Sequence, residues 1–185
     1  IHYIGGIYHE KENKVYRLEA YYKKYSNLTL QEPNALSSDG YGYSKGVDLF
    51  FNDRTLFKNL EYMLAYSFNL SKRKYQEYTE LTVPQFSTKH NATLSLKYNI
   101  PSLRTIWGIT NRYASGRPYH DPTKEGLMNS ITKCYNSLDM SLTYLASKRV
   151  IIYASATNIL GRKNVYNYTF TKDTSYPGGY RGTPV

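Results

Sequence analysis

The sequence predicts an all-β chain, an antiparallel up-and-down transmembrane β-barrel, and three observations predict it. Eight segments are rich in Tyr, Thr, Val, Ile and Leu, and several alternate with the two-residue period of a sheet with unlike faces. Each runs roughly 9 to 15 residues, longer than the five or six of a typical soluble strand and matched to the 9 to 11 that a tilted strand needs to cross a bilayer. The connections between them alternate short, long, short, long, which is what periplasmic turns and extracellular loops produce.

The predicted strands cover about 1–9, 14–28, 41–53, 60–72, 87–100, 105–117, 134–146 and 149–160. In the second, Tyr16, Leu18, Ala20 and Tyr22 oppose Arg17, Glu19 and Lys23. In the third, Val47, Leu49 and Phe51 oppose Gly46, Asp48 and Asn52, and in the fourth Tyr62, Leu64, Tyr66 and Phe68 oppose Glu61, Ala65 and Ser67. The fifth sets Ala92, Leu94, Leu96 and Tyr98 against Asn91, Thr93, Ser95 and Lys97; the seventh sets Leu138, Met140 and Leu142 against Asp139, Ser141 and Thr143. The first, sixth and eighth rest on β-forming content alone. Short turns are expected at 10–13, 54–59, 101–104 and 147–148. Long loops are expected at 29–40, 73–86, 118–133 and from 161 to 185, the last a Gly/Pro/Asn-rich loop with no returning strand.

Alternation also assigns faces. Leu18, Leu49, Leu64, Tyr66, Leu96 and Leu142 are expected to meet lipid, and Arg17, Glu19, Asp48, Glu61, Lys97 and Asp139 to face the lumen. The 22 Tyr, against one Trp and six Phe, suit a surface apolar on one side and wet on the other. The net charge of +10 is dispersed, with Lys72-Arg73-Lys74 the most basic stretch, which argues against nucleic acid. A single cysteine, Cys134, excludes an internal disulfide and a Cys-based metal site. There is no apolar run of about eighteen residues for a membrane helix, no signal peptide and no initiating Met. A chain that opens inside a strand and closes in a loop is expected to be an excerpt of a larger barrel.

Five stretches, in this order and spacing, resemble the C-terminal half of TonB-dependent outer-membrane receptors of the Bacteroidetes type: Leu18-Glu19-Ala20-Tyr21-Tyr22-Lys23-Lys24-Tyr25-Ser26-Asn27-Leu28, Gly40-Tyr41-Gly42-Tyr43-Ser44-Lys45-Gly46-Val47-Asp48-Leu49-Phe50, His90-Asn91, Ala114-Ser115-Gly116-Arg117-Pro118-Tyr119 and Asn158-Ile159-Leu160-Gly161-Arg162-Lys163-Asn164-Val165. The resemblance implies residues 1–185 as the C-terminal portion of a barrel of about 22 strands, with the plug domain and final strand absent. It implies a bacterial outer-membrane location and energised nutrient uptake. Its implied partners are lipid and lipopolysaccharide, the rest of the barrel and its plug, a TonB-type energiser reached through the missing N-terminal part, and a surface lipoprotein. No cofactor is implied. Siderophore, haem, cobalamin, glycan and peptide all remain open as cargo. The competing readings are a structural or adhesive outer-membrane barrel and a soluble Tyr-rich, glycan-binding β-sandwich.

The ligand-binding candidates sit in one predicted loop. Arg117 can meet an anion, Tyr119 can stack on a ring and His120 can ligate haem iron, although nothing supplies a second ligand. The plainer reading is that Gly116 and Pro118 shape the strand exit. Asn158 and Asn164 read as caps of a loop base, with Arg162 and Lys163 set to meet lipopolysaccharide headgroups. No metal site is expected, and no enzyme: the sequence has no G-x-S-x-G, H-E-x-x-H or phosphate-binding Gly loop. A hydrolase built on His90 and a nearby Ser would lack a third, orienting group.

Overall fold

A computed structural model describes residues 1–32 and 35–185. Eight strands form one antiparallel meander: β1 (His2–Lys11), β2 (Lys14–Glu32), β3 (Ala35–Phe57), β4 (Leu60–Lys74), β5 (His90–Ile100), β6 (Thr105–Ala114), β9 (Tyr135–Ser147) and β10 (Val150–Ala156). Between β6 and β9 the loop carries a two-rung ladder, β7 (Pro118–Tyr119) with β8 (Ser130–Ile131). Beyond β10, β11 (Tyr168–Lys172) pairs with β12 (Tyr180–Pro184). No helix is long and apolar enough to cross a membrane.

The short connections gather at one end of the sheet. Glu12, Asn59 and Arg104 take positive φ there (48°, 62° and 51°), the conformation that tight hairpins require. The connections 75–89 and 115–134 leave the opposite end, so two of the predicted long loops stand where they were expected.

Three expectations need correction. Residues 29–32 and 35–40, expected in a loop, extend β2 and β3, with Leu30 opposite Ser37 and Gln31 opposite Leu36. The extension is held from outside its own sequence: Gln76 N–H donates to Thr29 O at 2.7 Å and Gln31 N–H to Gln76 O at 2.8 Å. The 54–59 turn is likewise mostly strand. There β3 bulges after Asp53, whose carboxylate accepts the N–H groups of Thr55 (2.6 Å) and Leu56 (3.1 Å) and lets the chain resume pairing at Phe57. Finally, the segment from 161 is not all loop. β11 and β12 make a hairpin turned by Gly178 and Gly179 at positive φ, separate from the eight-stranded sheet.

The sheet has two unlike faces. One carries rows such as Ile7–Leu18–Leu49–Tyr66–Ala92–Tyr113 and Tyr62–Leu96–Ile109–Met140. The other carries Gly6–Glu19–Asp48–Ser67–Asn91 and Glu61–Lys97–Gly108–Ser141. Burial is inverted relative to a soluble sheet. Val47 and Leu49 on the apolar face are each 37% exposed and Leu18 45%, while Ser44 and Ser71 on the polar face are buried. Apart from proline, Leu30 is the only buried aliphatic or aromatic side chain among the described residues. Among the described residues the sheet encloses no apolar core, so hydrophobic collapse supplies little of what holds its shape.

Candidate functional site

The polar face is dressed with ion pairs and short hydrogen bonds. Arg17 lies 3.7 Å from Glu19, and Ser67 Oγ donates to Asp48 at 2.5 Å. Glu61 bridges Arg54 (2.8 Å) and Lys97 (4.0 Å). Asp139 pairs with Arg112 and accepts the Asn158 N–H at 2.9 Å. The six polar residues expected on one face and the six apolar ones expected on the other do lie on opposite faces of the sheet.

At the loop end of the polar face two cavities meet at one arginine. Ser115 fixes the start of the 115–134 loop: its Oγ accepts the N–H groups of Lys89 (2.9 Å) and His90 (3.0 Å). Gly116 follows where a Cβ would stand 1.9 Å from Thr132 O, so no other residue fits there. Arg117 then pairs with Thr132 through both its N–H (to Thr132 Oγ1, 2.9 Å) and its carbonyl (from Thr132 N–H, 2.9 Å). Those bonds hold its side chain with Cζ 5.2 Å from the centre of the Tyr166 ring.

A cavity of about 280 Å³ lies beneath Arg117, bounded by Thr93, Arg112, Lys133, Tyr135 and Tyr166. A second, of about 820 Å³, opens on its other side against Tyr75, Tyr78, Phe86, Tyr166 and Asn167. The three cations of the first cavity are unequal: Arg112 is paired with Asp139, whereas Arg117 and Lys133 have no ion-pair partner among the described residues. Burial, then the neighbouring Tyr135, pushes the Tyr166 phenol above its ordinary value, so it stays a neutral donor. Cationic groups with aromatic walls suit an anionic ligand with a flat or apolar body.

Of the sequence candidates, Arg117 lines both cavities. Tyr119 lines neither; its ring packs 4.8 Å from Tyr168 and 6.1 Å from Phe170, clamping β7 to the β11–β12 hairpin. His120 is exposed and lines neither cavity. Sequence reasoning missed Lys133, Tyr166 and the aromatic trio Tyr75, Tyr78 and Phe86, which come from three separate connections, and Tyr135 at the start of β9. Asn164 does bind a backbone: its side chain accepts the Asn136 N–H and donates to Asn136 O, both at 3.0 Å, pairing β9 beyond the end of β10. No group of three or more His, Cys, Asp or Glu that could hold a metal ion occurs among the described residues.

No family model and no curated protein matches the chain. Solved structures do. The ferric yersiniabactin uptake receptor FyuA from Yersinia pestis superposes with a TM-score of 0.76 at 15% identity, over 100% of this chain and 27% of that one. The ferric-catecholate import receptor Fiu from Escherichia coli K12 gives 0.68 at 15% identity, over 94% and 24%. The FrpB iron transporter from Neisseria meningitidis gives 0.68 at 15%, over 87% and 26%. The chain thus spans about a quarter of the length of these structures. At such identity the likeness concerns the fold: these residues form an antiparallel, up-and-down stretch of a larger β-barrel wall, of the architecture on which outer-membrane transport receptors are built.

Proposed function

We propose that this chain forms wall and extracellular vestibule of a TonB-dependent receptor in a bacterial outer membrane, a barrel of about 22 strands that imports an anionic solute. The inverted sheet carries the reading: Leu18, Val47 and Leu49 of the apolar face are exposed, while Ser44 and Ser71 of the opposite face are buried. A bilayer is the medium in which the row Leu18–Leu49–Tyr66 needs no protein cover, and Leu64, Leu96 and Leu142 join it there. Arg17, Glu19, Asp48, Glu61, Lys97 and Asp139 then line a watered lumen or meet a plug. The short turns face the periplasm and the long connections face outside. The plug and final strand lie outside these residues, and energy arrives through the plug from a TonB-type inner-membrane partner.

The cargo reading rests on Arg117 and Lys133, two cations without carboxylate partners among the described residues in an aromatic-walled cavity, and on a chain of net charge +10. Two of the similar receptors take ferric chelates by name. An anionic ferric chelate is therefore the first cargo to test.

Cells carrying the receptor should accumulate iron from such a chelate only when the energiser is present, and the receptor should fractionate with outer membranes. Accumulation that ignores the energiser, or a receptor recovered in the soluble fraction, would sink the reading.

A further inference from the structure

Three consecutive hairpin turns, β3–β4, β5–β6 and β9–β10, carry a row of cations. The last rungs beneath them join Phe57 to Leu60, Ile100 to Thr105 and Ser147 to Val150. Lys58, Arg104, Lys148 and Arg149 lie beyond those rungs, so they stand past the apolar face, at the tips of the hairpins. All four are exposed, and none is in an ion pair among the described residues. These three turns carry no acid, whereas the turn between β1 and β2 sets Glu12 beside Lys11. Lys14 and Arg54, lower on the strands, are neutralised by Asp53 (3.4 Å) and Glu61 (2.8 Å). Free positive charge at this end of the sheet is therefore concentrated at the tips.

The row is held stiffly. Adjacent hairpins are laced through their turn carbonyls: Asn99 N–H donates to Asn59 O at 2.8 Å, and Leu145 N–H donates to Arg104 O at 2.9 Å. Asn59 and Arg104 take φ of 62° and 51° there. Asparagine tolerates that left-handed conformation well, and arginine does not. No ion pair of Arg104 among the described residues offsets the cost, so the use of its side chain lies outside the chain.

Neighbouring strands stand about 4.8 Å apart, so successive tips are about 10 Å apart and the three span about 20 Å. Charges are largely screened beyond about 8 Å at physiological salt, so each tip can take an anion of its own. A small anion reaches one tip. A stiff chain with carboxylates along its length reaches all three, and each contact after the first is made at high local concentration. Lipid headgroups belong beside the apolar face, which the tips overshoot. On the outer-membrane reading above, on which this inference rests, the tips enter the periplasm, where the linear carboxylate-bearing polymer is peptidoglycan. We propose that Lys58, Arg104, Lys148 and Arg149 form a docking rim for peptidoglycan and hold the barrel to the cell wall.

The test uses the full receptor purified from outer membranes in detergent and co-sedimented with peptidoglycan sacculi stripped of bound protein. Wild type should sediment with them, and should stay in solution when the carboxylates of the sacculi have been converted to amides. K58Q/R104Q/K148Q/R149Q should bind about a hundredfold more weakly, and the charge-keeping K58R/R104K/K148R/R149K should bind as wild type does. K24Q/K72Q/K89Q/K172Q, which removes as much charge from the loop end, should also match wild type. Unchanged binding by the first variant, equal loss in the last, undiminished binding to amidated sacculi, or release by phosphatidylglycerol vesicles at equal charge would overturn the rim. Gradient fractionation separates the two failures: a receptor missing from outer membranes defeats the outer-membrane reading, whereas a correctly located receptor that ignores sacculi defeats the rim alone.

Discussion

The Tyr21 hydroxyl lies over the bare backbone of Gly46, where a Cβ would stand 2.6 Å from the oxygen and 2.2 Å from Phe68 O. The ring crosses the polar face and its hydroxyl donates to Asn69 Oδ1 at 3.2 Å, which also accepts from Ser44 Oγ at 2.8 Å. A glycine in the middle of a 23-residue strand is there because a ring needs its space. G46V should therefore lower the stability of the assembled barrel by about 1–3 kcal/mol, read as a drop in the temperature at which the folded band is lost in heat-modifiable electrophoresis. Y21A combined with G46V should recover part of it, because the clash then has one partner fewer.

The two faces should respond oppositely to charge. L64R and L96R, on the apolar face, should impair assembly by about 2–4 kcal/mol for a cation near mid-bilayer. T93R and S141R, on the polar face, should assemble near normally. Outer-membrane yield of the four variants checks this, and equal behaviour of the pairs would reverse the face assignment.

Arg117 should act as both a charge and a plane. R117A should weaken binding of an anionic cargo by roughly tenfold, and R117K should recover little because an ammonium does not stack on Tyr166 as a guanidinium does. Equilibrium binding to the purified receptor measures both variants. Full recovery by R117K would reduce the residue to a point charge.

Asp121 gives the 115–134 loop a pH dependence of known sign. Its carboxylate accepts from Thr123 Oγ1 (2.7 Å) and Thr123 N–H (3.0 Å), and these bonds, with Lys124 nearby, hold its pKa below the ordinary carboxylate value against the opposing effect of burial. A carboxylate with a lowered folded pKa contributes stability above its unfolded value and loses it as pH falls through the folded one. The loop should hold at neutral pH and open to pepsin as the pH falls below about 3.9. D121N should be cut over the whole acidic range. An identical pH profile for wild type and D121N would remove Asp121 from the loop's stability.

Legibility followed the range of the interactions. The strand faces were readable because alternation is local: Leu18, Leu49 and Leu64 declare a face from their immediate neighbours. The extension of β2 and β3 was not readable, because Gln76 pairs with Thr29 and Gln31 from another connection. The bulge at Asp53 depends on one carboxylate finding two amides of its own strand, a signal carried by Asp53 and Thr55 but shared with many ordinary turns. The vestibule was the least readable part. Arg117 stood out beside Gly116 and Pro118, whereas Tyr166 and Lys133 join it only through the path of the loops. Tyr119 carries the same chemistry as Tyr166 in sequence, and packing on Tyr168 and Phe170 takes its ring away from both cavities.

Proline apart, Leu30 stands alone among the described residues as a buried aliphatic side chain, and this bears on the order of events during assembly. On the proposed outer-membrane reading, a chain whose described residues enclose no dry interior gains little by drawing together in water, so a finished sheet should not wait in the periplasm for a membrane to accept it. On that reading the strands close their hydrogen bonds as the lipid takes up their apolar face, and the two happen as one step. Variants such as L64R should accordingly be lost as unassembled, protease-sensitive chains before insertion, not shed from the membrane after it.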